Sequence, residues 1–195
     1  PKERLICAAS FKERVLHHAI MNLCHSNFEK YQIFDSYASR LGKGTYAALE
    51  RASVFQHQYK WFLKLDVRKY FDSIDHAILK TMLTNRFKDK LLLQIFFQII
   101  DSYQTQEGKG LPIGNLTSQY FANHYLALAD HHIKEKLQAS AYVRYMDDMV
   151  IWSNDKNMLL KIGNEFESFI ESELSLTLKP FCLNSTDKGL PFLGY

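Results

Sequence analysis

The feature that most constrains the fold is the stretch from Tyr142 to Trp152, in which two aspartates separate two runs of aromatic and β-branched residues. This composition predicts a strand, a tight turn at Asp147 and Asp148, and a second antiparallel strand. Aspartate is common in turns because its carboxylate bonds nearby backbone N–H groups. Taken alone, the stretch therefore favours a structural turn, with a metal-holding hairpin tip as the alternative.

Another acid stands at the end of a predicted strand well upstream of this turn. Residues 61–67 alternate in polarity, are rich in β-forming residues and place Asp66 near their end. If the fold brings Asp66 to Asp147 and Asp148, three carboxylates converge, and their oxygen atoms suit Mg²⁺. Two such ions support nucleotidyl transfer, in which a 3′-hydroxyl attacks a nucleoside triphosphate and pyrophosphate leaves.

Helical periodicity predicts most of the remaining elements. Helices are expected over residues 11–23, 76–83, 91–100, 117–137 and 155–170. The first of them is expected to bury the face that carries Phe11, Val15 and Leu23, and residues 91–100 to form a buried helix. Residues 174–178 alternate like a strand. Together the elements predict an α+β fold whose antiparallel sheet is covered by helices on one side.

Composition and charge narrow the class of protein only slightly. The 195 residues suit one large domain or two lobes, and the net charge of +3 is too small to argue for nucleic acid by itself. The three cysteines follow no disulfide or zinc pattern, which favours a reducing cytoplasm. No apolar run approaches the roughly 18 residues of a membrane span, so no membrane association is expected.

Four segments resemble, in chain order, the motifs of reverse transcriptases. They are residues 62–71, 111–119, the Tyr-Met-Asp-Asp (YMDD) segment 145–148, and 192–195. The middle segment, with Ile113 before Gly114 and Gln119 after Ser118, is similar to that of reverse transcriptases from bacterial and phage diversity-generating retroelements.

The resemblance implies a polymerase right-hand fold of the α+β class. The fingers would comprise residues 1–60 and 76–110, and the palm residues 61–75 and 111–195, with an antiparallel palm sheet backed by helices and the thumb absent. The implied activity is that of an RNA-directed DNA polymerase. A retron, group II intron-like or phage-defence polymerase of the same fold stays open, as does a non-catalytic nucleic-acid-binding module.

The resemblance also assigns roles to the acids. Asp66 and Asp147 would bind two Mg²⁺ ions, for which Mn²⁺ can substitute, with the backbone carbonyl of Val67 and the carboxylate of Asp148 in support. Lys179 is the candidate proton donor to pyrophosphate, although the segment around it departs from the usual palm pattern.

The nucleotide pocket is implied in the same way. Tyr70 or Phe71 would exclude a 2′-hydroxyl, and one of the two is expected to be core because successive strand residues point to opposite faces. Ile113 and Gly114 would line the pocket. Two basic residues resemble finger residues that contact the triphosphate, with plain surface charges as the alternative: Arg4 and Arg14.

The implied activity requires an RNA template, a DNA or RNA primer and deoxynucleoside triphosphates (dNTPs). The resemblance to retroelement enzymes further implies a basic accessory protein, and a cytoplasmic location for a chain encoded by a bacterium or phage.

Overall fold

The computed structural model describes residues 6–7 and 9–195, and the chain divides into two compact units. Unit 1 holds the described residues up to Tyr31 together with Lys69–Tyr125, and unit 2 holds Gln32–Arg68 and Leu126–Tyr195. The predicted division into fingers and palm stays a prediction, as does the absence of a thumb.

Helices and strands of the described residues form an α+β chain, as predicted. The helices are α1 (Phe11–Glu29), α2 (Thr45–Gln58), α3 (Tyr70–Ser73), α4 (His76–Arg86), α5 (Lys90–Asp101), α6 (Leu116–His131) and α7 (Lys156–Leu174). The strands are β1 (Trp61–Asp66), β2 (Ala141–Tyr145), β3 (Asp148–Ser153) and β4 (Cys182–Ser185). None of the helices in the described ranges combines the length and apolar character of a membrane span.

Unit 2 is built on an antiparallel sheet with strand order β2-β3-β1-β4. The predicted hairpin is confirmed as β2 and β3, and the predicted strand that ends at Asp66 is confirmed as β1. Strand β1 lies between β3 and β4, so the chain places Asp66 at the centre of the sheet rather than at an edge.

Both faces of this sheet are covered, so the expectation of helices on one side is wrong. Phe62, Val150 and Trp152 pack with Phe55 of α2 on one face. On the other face the side chain of Leu63 lies against Gly163 of α7. Strand residues alternate between faces, and the consecutive buried residues of β2 and β3 therefore require a layer on each side.

The strand predicted over residues 174–178 is also wrong. Leu174 is the last residue of α7, and Ser175 leaves the helix with a positive φ of 50°. Leu174, Leu176 and Leu178 are all buried. Their alternation reflects burial of a connecting segment, and the strand at this edge forms later, at Cys182–Ser185.

Unit 1 has an aromatic core. Phe28 of α1 packs against Phe87, which in turn packs against Phe96 of α5 and, through it, Phe121 of α6, with successive ring centroids 5.0, 5.3 and 5.2 Å apart. Edge-to-face and tilted pairs at this spacing stabilise a core beyond the area they bury.

The apolar faces of α1 and α5 differ from those predicted. Phe11, Val15 and Leu23 are exposed, whereas His17 lies on the buried face of α1. In α5 only one side is buried, with Phe96 and Ile100 inside and Leu91 exposed. Helical spacing identifies both helices, but the face that is covered depends on the neighbouring elements.

Candidate active site

The three acids predicted from the sequence lie together at one end of the sheet in unit 2. Asp66, the last residue of β1, is the direct antiparallel partner of Asp148, the first residue of β3. Asp147 precedes Asp148 in the turn of the hairpin. Directly opposed like charges destabilise a strand pair, so this arrangement has to be explained by function or by counter-charges.

The turn that carries Asp147 is a two-residue connection from Tyr145 to Asp148, which are paired across β2 and β3. Its first residue, Met146, has a φ of 55°, in the left-handed region that residues other than Gly, Asn and Asp rarely adopt. Positive φ at this position is what a tight hairpin turn requires. The left-handed backbone of Met146 is therefore part of the turn geometry that places Asp147 next to Asp148.

Burial makes ionisation of two of these acids less favourable than in water. Burial raises the pKa of Asp147 above the ordinary value of 3.8; a backbone hydrogen bond lowers it, and the charges of Asp66 and Asp148 raise it further. Burial also raises the pKa of Asp148, although the nearby ammonium of Lys64 lowers it. A cluster of carboxylates with raised pKa values is typical of a functional site.

Two lysines supply counter-charge. The ammonium of Lys179 donates a hydrogen bond to Oδ2 of Asp66, and its backbone N–H donates to the carbonyl of Asp66 at 2.8 Å. The Nζ of Lys64, on β1, lies 3.2 Å from Oδ1 of Asp148. Each of these two carboxylates thus has one ammonium beside it, and these lysines offset part of the repulsion among the acids.

The donor atoms of this site fit a divalent cation. Oδ1 of Asp66 is buried and accepts no hydrogen bond, and Oδ1 of Asp148 is buried with the ammonium of Lys64 3.2 Å away. Carboxylate oxygens in this condition are the ligands that Mg²⁺ prefers. In the described part of the chain, however, no three acidic, histidine or cysteine side chains are arranged to hold one ion together.

The segment after β1 keeps the carbonyl of Val67 out of the sheet pairing. Val67 forms an isolated antiparallel bridge with Leu178. The two hydrogen bonds of this bridge are made by the flanking residues: the N–H of Arg68 donates to the carbonyl of Thr177, and the N–H of Lys179 donates to the carbonyl of Asp66. In such a non-hydrogen-bonded pair the central carbonyl does not face the partner strand. The bridge also explains why Lys179 lies beside Asp66.

The predicted nucleotide residues belong to unit 1, whereas the acids belong to unit 2. Tyr70 is buried, and its hydroxyl donates to the carbonyl of Ala122 at 2.5 Å. Phe71 is half-buried, with its ring centroid 5.7 Å from that of Tyr70. The expectation that one of the pair is core is confirmed, but both lie in the helical turn α3 rather than on a strand.

The remaining predicted residues of unit 1 lie on α1 and on the loop before α6. Ile113 is half-buried and accepts a backbone hydrogen bond from Cys7 at 2.9 Å. Gly114 is exposed with a φ of 121°, a conformation in which a side chain would be strained. Arg14 is exposed, 6.0 Å from the ring of Phe11. Arg4 lies outside the described residues.

Sequence reasoning missed several charged residues that surround the hairpin. Lys64 was unremarkable as a lysine on a strand, and Arg144 and Asp130 form an ion pair in which neither side chain is exposed to solvent. A signal was present, because a charged residue inside an apolar strand or helix needs a partner of opposite charge. Only the fold identifies that partner.

Comparison with known proteins identifies a family model that spans the whole chain and relatives that match about two thirds of it. A family model described as reverse transcriptase (RNA-dependent DNA polymerase) matches residues 1–195. The chain is 22% identical over 138 residues to the group II intron-encoded protein LtrA of Lactococcus lactis subsp. cremoris. The matched region covers 68% of this chain and 23% of LtrA. The chain is 20% identical over 134 residues to a COX1/OXI3 intron 2 protein of Saccharomyces cerevisiae, covering 65% of this chain and 16% of that protein.

Solved structures with the same fold include two telomerases. Apo telomerase from Candida tropicalis matches 89% of this chain and 37% of its own, with a TM-score of 0.67 and 13% identity. Telomerase from Candida albicans, solved in complex with a TWJ fragment of telomeric RNA, matches 88% of this chain and 33% of its own, with a TM-score of 0.60 and 14% identity. Likeness at these identities concerns the fold, and the predicted right-hand polymerase fold is confirmed.

Proposed function

The chain belongs to the reverse transcriptase family, and from that premise we propose that it carries the catalytic acids of an RNA-directed DNA polymerase. The polymerase adds dNTPs to a primer 3′-hydroxyl on an RNA template. The observation that carries the proposal is the direct pairing of Asp66 with Asp148 across β1 and β3, beside Asp147 in the turn. A fold has little other reason to place three carboxylates together at partly buried positions.

Two Mg²⁺ ions are the proposed cofactors, with Mn²⁺ able to replace them. Asp66 and Asp147 would hold both ions, with the carbonyl of Val67 as a backbone ligand and Asp148 in support. The buried Oδ1 of Asp66, which accepts no hydrogen bond, supports this assignment. When bound, the ions activate the 3′-hydroxyl and neutralise the phosphate charges that develop during the displacement.

The lysines of the site have separate roles in this proposal. The 3′-hydroxyl gives up its proton to water and its oxygen forms a bond to the α-phosphorus, while the bond to pyrophosphate breaks and the leaving pyrophosphate takes up a proton. Lys179 is the proposed donor of that proton, because its ammonium lies beside Asp66 and ammonium groups can act as general acids. Lys64 lies 3.2 Å from Asp148 and keeps that acid charge-balanced.

Selection of the nucleotide is assigned to unit 1. Phe71 is the proposed barrier to a 2′-hydroxyl, because Tyr70 is buried and bonded to Ala122. Ile113 and Gly114 line the base pocket in this proposal, and Arg14 contacts the triphosphate together with Arg4. These roles rest on the resemblance of the motifs.

Within the family we assign the chain to a diversity-generating retroelement of a bacterium or phage. The support is the sequence around Ile113-Gly114 and Ser118-Gln119. On this assignment the partners are an RNA template, a primer, dNTPs and a basic accessory protein. The competing subgroup is a group II intron-like enzyme, which the likeness to LtrA favours at 22% identity.

Primer extension by the full-length protein tests the proposal. The assay compares the wild type with Asp147→Asn and with a matched control, Asp187→Asn, whose carboxylate is exposed and bonded to Ser185 away from the site. Extension is expected in the wild type and in the control but not in Asp147→Asn. Equal extension by all three would overturn the proposal, and tight RNA binding without extension by any of them would support a binding module.

A further inference from the structure

A buried arginine adjoins the catalytic turn without belonging to the set of acids. Neither Arg144 nor Asp130 exposes any of its side chain, and their contact is bidentate. Nε of Arg144 donates to Oδ1 of Asp130 at 2.7 Å, and Nη2 donates to Oδ2 at 2.6 Å. Tyr142 also donates its hydroxyl to Oδ1 of Asp130, at 2.7 Å. An ion pair of this kind keeps its geometry, because separating the two buried charges would leave each of them without water or a partner, at a high cost in free energy.

The same guanidinium reaches the turn itself. Nη1 of Arg144 donates to the backbone carbonyl of Met146 at 3.1 Å. Met146 is the residue with a φ of 55°, immediately before Asp147. A hydrogen bond from a buried cation to this carbonyl favours the peptide orientation that the strained residue requires.

Further contacts join the arginine to residues 32–37. Nη2 also donates to Oε1 of Gln32 at 3.2 Å. The backbone of Arg144 bonds on both sides of Ser36, donating to the carbonyl of Asp35 and accepting from the N–H of Tyr37, each at 2.9 Å. The carbonyl of Met146 is therefore held by a group that is itself attached to α6 and to residues 32–37.

We propose that Arg144 is a positioning residue: through the carbonyl of Met146 it fixes the turn in the conformation from which Asp147 and Asp148 bind metal. This inference rests on the proposed function of the acids. It differs from a purely structural role, because a structural ion pair would affect stability and leave the metal affinity of a folded protein unchanged.

The test replaces Arg144 by lysine in the full-length protein. Lysine keeps the positive charge beside Asp130 but lacks the planar guanidinium with which Arg144 donates hydrogen bonds to several acceptors at once. The matched control is Arg86→Lys in unit 1, which alters the hydrogen bonds that Nε and Nη2 donate to the carbonyl of Asn27 at 2.8 and 2.5 Å. The first readout is the dissociation constant for Mn²⁺ alone, measured by electron paramagnetic resonance without nucleic acid.

For Arg144→Lys we expect the Mn²⁺ dissociation constant to rise at least about tenfold, as when groups that orient metal ligands are removed. In primer extension, kcat should fall while KM for the template–primer changes little, and higher Mn²⁺ should restore part of the rate. Arg86→Lys should leave both quantities within about twofold of the wild type.

An unchanged Mn²⁺ affinity and kcat in folded Arg144→Lys would overturn the inference. If that variant does not fold, the double variant Asp130→Asn with Arg144→Gln removes both buried charges, keeps an oxygen acceptor for Tyr142, and is expected to show the same loss of affinity. If the wild type binds Mn²⁺ but never extends a primer, the proposed function fails while the Mn²⁺ comparison still decides the role of Arg144.

Discussion

Replacing Asp147 by asparagine should stabilise the metal-free protein while it abolishes activity. The carboxylate of Asp147 is partly buried, and burial and the charges of Asp66 and Asp148 raise its pKa. Each of these effects is a cost of holding a negative charge in the folded state. Asparagine has nearly the same shape and carries no charge, so the folded state is relieved of that cost.

The magnitude follows from the neighbours of Asp147. Charge pairs on adjacent strands interact by roughly 0.2–1 kcal/mol, and Asp147, in the turn next to the opposed pair of Asp66 and Asp148, is repelled by both. Burial of its carboxylate adds to this cost. Lys64 and Lys179 each contact a different acid of the group, so they offset the repulsion only in part. We expect a gain of about 1 kcal/mol, or about 2–4 °C in Tm for a domain of this size.

The pH dependence has a definite sign. The folded pKa of Asp147 lies above its ordinary value of 3.8, so the folded state binds the proton more tightly than the unfolded state does. The charged group therefore destabilises the protein as pH rises through the folded pKa. The advantage of Asp147→Asn should be complete at pH above the folded pKa and should vanish below about 3.8.

Thermal unfolding in the presence of a chelator, at neutral and acidic pH, measures the effect. Asp187→Asn serves as the control, because that carboxylate is exposed, and its Tm should not change measurably. Added Mg²⁺ should raise the Tm of the wild type and narrow or reverse its difference from Asp147→Asn. A lower Tm for Asp147→Asn in chelator at neutral pH would refute the claim that the three acids repel one another.

Other predictions concern the neighbouring residues. Lys179→Met should lower kcat for primer extension by about a hundredfold, with a smaller change in KM for dNTP, because a general acid acts in the transition state; pre-steady-state kinetics measure both. Phe71→Val should raise ribonucleotide incorporation about tenfold, since one lost steric contact is worth about 1.4 kcal/mol. Tyr70→Phe should lower the free energy of unfolding by about 1 kcal/mol, because the hydrogen bond to Ala122 is lost, and it should not change sugar selection. Ile113→Gln should lower the misincorporation rate, because glutamine restores polar contacts to the base pocket.

Each of these has an outcome that would contradict it. An unchanged kcat in Lys179→Met would exclude it as the proton donor. Relaxed sugar selection in Tyr70→Phe but not in Phe71→Val would reverse the assignment of the pair. An error rate for Ile113→Gln equal to that of the wild type would show that this position does not set fidelity.

Sequence reasoning located the acids because their strands carry local signals. The alternation in residues 61–67 predicted β1, and the aromatic and β-branched runs around Asp147 predicted the hairpin. The convergence of Asp66 with this turn was a conditional inference, since no local pattern determines which strands pair. The register that sets Asp66 opposite Asp148 comes from the fold.

The errors have a common physical origin in tertiary packing. Phe11 and Leu23 recur at helical spacing but are exposed, while His17 is buried with its Nδ1 3.4 Å from Oγ1 of Thr117. Leu176 and Leu178 alternate as in a strand, yet they belong to a buried connection between α7 and β4. Spacing reports local geometry, whereas burial depends on elements that are distant in sequence.

The supporting charges were not predictable for a related reason. Lys64 and Asp148 are neighbours only because β1 pairs with β3, and Asp130 reaches Arg144 only from the end of α6. Such contacts depend on distances of a few ångströms between residues far apart in the chain. A sequence indicates that a buried charge needs a partner, but it does not indicate which residue supplies it.

Counting the bound metal ions tests the central claim most directly. The claim is that Asp66, on its own strand, shares one metal site with Asp147. Mn²⁺ titration of the full-length protein, followed by electron paramagnetic resonance with template–primer and a non-hydrolysable dNTP analogue present, should give two ions in the wild type. Asp66→Asn and Asp147→Asn should each abolish tight binding of both ions. Binding of two ions by Asp66→Asn with wild-type affinity would contradict the account.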